Sequence, residues 1–181
     1  NGDGYSDVII CTPGYTSPQS AAGLAQVHLG GPGGLFAGPS WSVQGNQDNA
    51  QLGASVCTAG DVDGDGYSDV IVGLPFFDNG QEDEGRACVY DGSGDGLSTT
   101  AAWTMEGNQA SIAAGSCVAA AGDLNGDGFS DLVVGSPLFP IPSATFGRAQ
   151  VYLGTATGPG ATAAWTGVGS APGCLFGYSV A

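Results

Sequence analysis

Short apolar runs alternate along this chain with turns dense in glycine and acidic residues, and no run suits a long amphipathic helix. In "SDVIVGLP", residues 68–75, β-branched residues follow one another and a Gly-Pro signal closes the stretch. That pattern reads as a buried strand. The middle of the chain predicts four such strands, at roughly 52–59, 67–73, 86–91 and 101–106. The turns between them carry "GDG", "DNG" and "GSGDG", glycine and Asx chemistry that reverses a β-chain sharply.

The pattern repeats with a step of 62 residues. "GLAQVHLG" (23–30), "GRACVYDG" (85–92) and "GRAQVYLG" (147–154) superpose, as do Trp41, Trp103 and Trp165. "LGASV" (52–56), "AGSCV" (114–118) and "FGYSV" (176–180) keep the same step. His28 falls in register with Tyr90 and Tyr152, an amphipathic strand position. Four antiparallel strands at this period describe a β-propeller blade. With 34 Gly and 10 Pro in 181 residues, a solenoid of helix pairs is excluded. The predicted fold class is therefore all-β, three four-stranded antiparallel blades that are part of, or assemble into, a larger closed propeller. Blade 1 takes residues 1–51 with strands two to four, blade 2 takes 52–113, blade 3 takes 114–175, and 176–181 start the first strand of a following blade.

The turns also carry chemistry. "DVDGDGYSD", Asp61 to Asp69, sets four carboxylates within nine residues, charges that oppose folding unless a cation is held among them. Calcium takes about six to eight oxygen ligands from carboxylates, carbonyls and water. Asp61, Asp63, Asp65 and Asp69 supply carboxylates, and the Tyr67 carbonyl can face the same centre. Gly64 and Gly66 allow the partly left-handed path that converges them. An EF-hand would need Glu at position 12 and flanking helices, but position 12 is Val72, inside a strand. "DLNGDGFSD" (123–131) and "NGDGYSD" (1–7) repeat the loop in register. The side chains of such a loop nearly fill the coordination shell, and the sole histidine, His28, lies far along the repeat. The expected role of the metal is structural rather than catalytic.

These residues together resemble the FG-GAP repeat of the integrin α-subunit β-propeller, over essentially the whole chain. The "FG" is Phe176–Gly177, with Leu52–Gly53 and Ala114–Gly115 in the other copies. The "GAP" stands as "GLP" (73–75), "GSP" (135–137) and "CTP" (11–13), and the family places its D-x-[DN]-x-[DN]-G-x-x-D calcium loop between the two. Carried over residue by residue, the resemblance implies Asp61, Asp63, Asp65 and Asp69 with the Tyr67 carbonyl as one ligand set. It implies Asp123, Asn125, Asp127 and Asp131 with the Phe129 carbonyl as a second, and Asn1, Asp3 and Asp7 with the Tyr5 carbonyl as a third. The first copy departs from the pattern by lacking the position-1 Asp, so its site is complete only with an oxygen supplied ahead of Asn1. Two to three structural calcium ions are the expected cofactors.

A net charge of −15 with two basic residues bounds the partners. Nothing here neutralises phosphates, so nucleic acid is excluded, and no basic cluster addresses an anionic membrane. No apolar run reaches the length of about twenty residues that a membrane-spanning helix needs. The chain starts inside a calcium loop, which suggests a segment of a larger product. Loops of modest charge need more free calcium than a resting cytosol offers, which favours a location outside the cell, on its surface or in a periplasm.

The five cysteines do not read as a disulfide framework, because their count is odd and three of them occupy repeat positions of small residues. Mostly free thiols are expected. The tryptophans fall in the outermost strand, where packing between blades competes with stacking on sugars. Arg86 and Arg148, at one repeat position, are expected to pair with local carboxylates. The acidic stretch "DNGQEDEG" (78–85) reads as a solvated loop, with a second cation or a basic partner as the sharper alternative.

Two function classes remain. One is a non-catalytic adhesion module, presenting loops to a protein or glycan. The other is a carbohydrate-active enzyme or lectin on a propeller scaffold, and glycosidic cleavage usually needs a close pair of carboxylates. Asp48, Asp78, Glu82, Asp83, Glu84, Asp91, Asp95 and Glu106 lie outside the loops and form no repeated pair, which favours the module and no catalytic residue. Three blades fall short of the roughly four to eight that close a propeller. Closure is expected from a homodimer, two chains head to tail in a six-bladed ring, with one longer chain as the rival.

Overall fold

A computed structural model describes residues 2–181, so Asn1 lies outside the described residues. Among the described residues there is no helix. The first sheet is β1 (Val8–Thr12), β2 (Leu24–His28) and β3 (Trp41–Gln44), in that order. The second is the meander β4 (Ser55–Gly60), β5 (Asp69–Leu74), β6 (Arg86–Tyr90) and β7 (Trp103–Glu106). The third runs from β8 (Cys117–Gly122) to β9 (Asp131–Ser136). A two-stranded hairpin, β10 (Pro140–Ile141) and β11 (Ala144–Thr145), then precedes β12 (Arg148–Tyr152) and β13 (Trp165–Val168), which complete that sheet. All pairings between strands are antiparallel, as propeller blades require.

The strand in "SDVIVGLP" is buried along its entire length. Successive side chains point to opposite faces of a strand. Ile71 accordingly joins a core with Val62, Val89, Val118, Leu132 and Tyr152, between the second and third sheets. Val70, Val72 and Leu74 join another with Val27, Trp41, Leu52 and Tyr90, between the first and second. A central blade strand has a neighbour on each side, so both faces must be apolar. Each such side chain contributes about 1.5–3 kcal/mol when taken from water.

Neighbouring blades are joined by parallel bridges, Gly23 to Leu52, Gly85 to Ala114 and Gly147 to Phe176. The approach is too close for a side chain. A methyl group at Gly85 would stand 2.3 Å from the Ala114 carbonyl oxygen, and its φ of +75° is one that glycine accepts readily. Two of the tryptophans, Trp41 and Trp103, lock the first two of these joints. Trp41 meets Tyr90 edge-on, with centroids 5.2 Å apart, and its indole N–H donates to the Ser98 carbonyl at 2.7 Å. Trp41 and its counterpart Trp103 thus pack between blades, as expected of the outer strand, whereas Trp165 is exposed.

Some expectations shift. β4 starts at Ser55, because the three residues before it form the bridge and a turn closed by Ala54 N–H on the Gln51 carbonyl at 3.0 Å. The β10–β11 hairpin was not legible, as its two-residue strands carry no alternation to read. Residues 176–181 hold the Phe176 bridge and no strand. All five cysteines are free. Arg86 pairs with Glu106 and lies 3.6 Å over the Phe77 ring. Among the described residues Arg148 pairs with no carboxylate, which corrects the expectation. Its cross-strand neighbour is Val168 where Arg86 has Glu106, and it rests 4.4 Å over Phe139 instead.

Candidate metal centre

Between the first two strands of the second sheet the register shifts at Thr58/Gly60, so that Gly60 stands opposite Asp69. This bulge ends β4 and throws residues 61–68 out as one loop, with Asp69 at its base as the first residue of β5. The third sheet repeats the device, with a shift at Ala120/Gly122 and Gly122 opposite Asp131.

Asp61 organises the loop. Its Oδ1 accepts N–H bonds from Gly64 at 2.6 Å and Asp65 at 3.1 Å, and its Oδ2 accepts one from Gly66 at 2.9 Å. Asp65 Oδ1 in turn accepts the Tyr67 N–H at 2.8 Å. Gly64 and Gly66 reach φ of +79° and +92°, which lets the chain curl around the carboxylates. Ligand oxygens of Asp61, Asp63 and Asp65 lie within 4.8 Å of one another. Asp69 stands outside that close set. It is fully buried, with Oδ2 accepting from Val62 N–H and Oδ1 from Gly92 N–H, both at 2.8 Å. Burial pushes its pKa up to about 6, against those two N–H bonds and with repulsion from Asp63 and Asp91 added.

The loop 123–131 has the same internal bonds. Asp123 accepts from Gly126 at 2.7 Å, Asp127 at 3.1 Å and Gly128 at 2.9 Å. Bonds to backbone N–H groups, that of Gly128 foremost, hold Asp123 below its ordinary pKa. The Phe129 N–H reaches Asp127 Oδ1 at 3.1 Å, and Asp131 accepts from Leu124 at 2.7 Å and Gly154 at 2.9 Å. Asn125 holds position 3, its amide nitrogen donating to Asp127 Oδ2 at 2.8 Å. In the first copy Asp3 accepts the Tyr5 N–H and Asp7 accepts the Gly30 N–H, each at 2.9 Å. Those are the Asp65 and Asp69 bonds one repeat earlier. Asn1 lies outside the described residues.

These residues fit a hard divalent cation. The donors are all oxygen, and three carboxylates already converge. One further observation agrees. Asp91 Oδ1 is buried with no hydrogen-bond partner, beside a residue, Gly92, that is bonded to Asp69. Burial, then the charges of Asp63 and Asp65, raise its pKa, so this carboxylate also lacks a compensating positive charge. Asp91 is one of the acids that the loop motif does not assign. The signal was its register, since Asp91 replaces Leu29 and Leu153. A cavity of about 530 Å³ borders this loop, lined by Tyr5, Trp41, Tyr67, Asp69, Asp95 and Leu97.

The stretch 78–85 forms no second centre among the described residues. Asp78 Oδ1 accepts the Asp83 N–H at 2.7 Å, and its own N–H is held by Gln47 Oε1 at 2.7 Å. Glu84 is 1% exposed, accepting from Asn79 N–H at 2.7 Å and Asn108 N–H at 2.9 Å. These carboxylates close the loop's backbone.

Comparison with known proteins gives matches to two family models and to individual relatives. A model of the FG-GAP repeat matches residues 118–153, and one of the FG-GAP-like repeat matches residues 61–134. Integrin alpha pat-2 of Caenorhabditis briggsae is 33% identical over 153 residues, covering 75% of this chain and 12% of that protein. Human integrin alpha-IIb is 30% identical over 144 residues (75% and 14%), and human integrin alpha-8 is 28% identical over 145 (75% and 13%). The chain thus spans about an eighth of the length of these relatives.

Proposed function

The chain belongs to the FG-GAP repeat family, and from that premise we propose that it is a non-catalytic, calcium-stabilised adhesion module that presents propeller loops to a protein or glycan outside the cell. The observation that carries this reading is the convergence of Asp61, Asp63 and Asp65 on a loop joining two blade strands. A cation there replaces carboxylate repulsion with attraction and rigidifies the loop that borders the 530 Å³ cavity. The ligand sets are the three given by the motif, centred on Asp61–Asp69, Asp123–Asp131 and Asp3–Asp7. Blades at 1–51, 52–113 and 114–175, with 176–181 leading into another, belong to the same proposal. So does closure of the ring by further blades or by a second copy.

A binding role is supported by how the remaining acids are used, since Asp78, Glu84 and Glu106 hold backbone amides or Arg86 rather than facing each other across a cleft. The test is the calcium-loaded chain probed on a glycan array and on extracellular matrix proteins, with polysaccharide turnover measured in parallel. Calcium-dependent binding without turnover is expected. Polysaccharide turnover by the wild-type chain, lost on alanine substitution of Glu82 alone, would establish the enzyme instead.

A further inference from the structure

The loops 61–69 and 123–131 share their motif and internal bonds, yet one is covered and the other is not. At the second position of the motif Val62 is fully buried, whereas Leu124 is 59% exposed. What covers the first loop is the end of the second. The Phe129 ring lies against Gly64, so close that a methyl group there would meet Cε1 at 2.6 Å. The Ser130 N–H donates to the Asp61 carbonyl at 2.8 Å, and the Thr155 N–H to the Val62 carbonyl at 3.1 Å. Thr155 follows Gly154, whose N–H is held by Asp131. Phe129, Ser130 and Asp131 are positions 7 to 9 of their own loop, and the first and third are ligands there. The contact recurs one blade earlier, where Tyr67 at position 7 packs against Gly2 at position 4, 3.5 Å from where a methyl group would sit.

We infer that neighbouring metal loops in this chain are coupled, with Phe129 and Ser130 as positioning residues through which cation binding at 123–131 and at 61–69 strengthen each other. The inference rests on reading both loops as calcium sites. Holding the Phe129 carbonyl and the Asp131 carboxylate at one centre restricts the backbone of 129–131. That segment fixes Asp61 and Gly64 from outside their own loop. Through the Asp131 bond to Gly154 it also holds the stretch just after β12, whose Thr155 N–H reaches the Val62 carbonyl. The loop 61–69 then binds in a form already ordered, and the ordering entropy is not lost twice. Linkage makes the effect equal in both directions.

The test is residue-resolved NMR of the chain titrated with calcium alone, following the Gly66 amide for one loop and the Gly128 amide for the other. Asp127→Ala disables the second loop without touching the first. The calcium midpoint at Gly66 is expected to rise about five-fold or more, the lower end of usual coupling. In a Phe129→Ala background the midpoint starts higher and Asp127→Ala adds nothing further. Phe129→Leu, which keeps an apolar side chain over Gly64, restores the transmission and serves if the alanine variant does not fold. A Gly66 midpoint unmoved by Asp127→Ala overturns the coupling and leaves the calcium reading standing. Full transmission in the Phe129→Ala background overturns the role of Phe129. A wild-type spectrum indifferent to calcium overturns the calcium reading itself.

Discussion

Trp103 of the second blade stands edge-on to Tyr152 of the third, with ring centroids 5.0 Å apart and planes at 68°, and its indole N–H donates to the Gly160 carbonyl at 3.2 Å. The pair joins two blades by a T-shaped aromatic contact and one hydrogen bond. The same residue type one repeat on, Trp165, is 52% exposed. Trp103→Ala should therefore cost up to about 3 kcal/mol, the low end of the range for large aromatic truncations in a core, because Trp103 is partly buried. Trp165→Ala should stay within about 0.5 kcal/mol for the monomeric chain, as surface changes do. Urea denaturation of both variants checks the contrast, and equal losses would show that the blade joint is not where Trp103 acts.

Calcium should stabilise by mass action. Binding the folded state alone contributes about 2.7 kcal/mol at a hundredfold excess over Kd. For a chain of this size that corresponds to roughly 5–10 °C in Tm. Excess chelator should remove it, and Asp65→Ala or Asp127→Ala should each remove part. Differential scanning calorimetry with and without chelator reads both. An unchanged melting curve would sink the structural role of the metal.

The strands and loops were legible because each repeats at one register. Ile71 and Val72 had to be buried on opposite faces, and the motif "DVDGDGYSD" has few other uses. What was not legible depends on what lies across a gap between elements. Asp69 reads as one ligand among four, yet only the fold shows both its oxygens bonded to backbone N–H groups, one of them from Gly92. Glu84 reads as one more charge in an acidic run, and only the fold shows it buried between Asn79 and Asn108. Arg148 failed for a related reason. The pairing that Arg86 makes depends on the residue across the strand, and Val168 stands there instead of Glu106.

That difference sets up a pH prediction. Burial raises the Glu106 pKa, but hydrogen bonds from Asn79 and Arg86 and the guanidinium charge outweigh it, so the net shift is downward. A carboxylate with a lowered folded pKa contributes stability above its unfolded pKa and loses it as pH falls through the folded one. The contribution is modest for a partly solvated pair, about 1 kcal/mol. Glu106→Gln should thus be less stable than wild type at neutral pH and converge with it below about pH 4. Denaturant midpoints across pH 3–7 measure this, and a gap that persists in acid would assign the loss to packing rather than charge.

The last prediction concerns the two uncovered faces. At one end Trp165, Phe176 and Tyr178 are 52%, 40% and 71% exposed. At the other, β1 is a sheet edge and exposes Val8 and Ile10 at 38% and 48%. Exposed apolar faces and an unpaired strand edge both invite association. For a second copy that covers both, the register gives the pairing. Trp41 and Trp103 each pack on the tyrosine of the next blade, Tyr90 and Tyr152, and the residue at that position in the first blade is His28. A second copy placed head to tail would set Trp165 of one chain against His28 of the other and cover both ends at once, as closed symmetry does. The chain at micromolar concentration should therefore run as a dimer in light scattering after size exclusion, and Trp165→Ala should shift it toward monomer. A wild-type monomer that stays stable at low micromolar concentration would refute the two-chain ring and leave the uncovered faces to further blades.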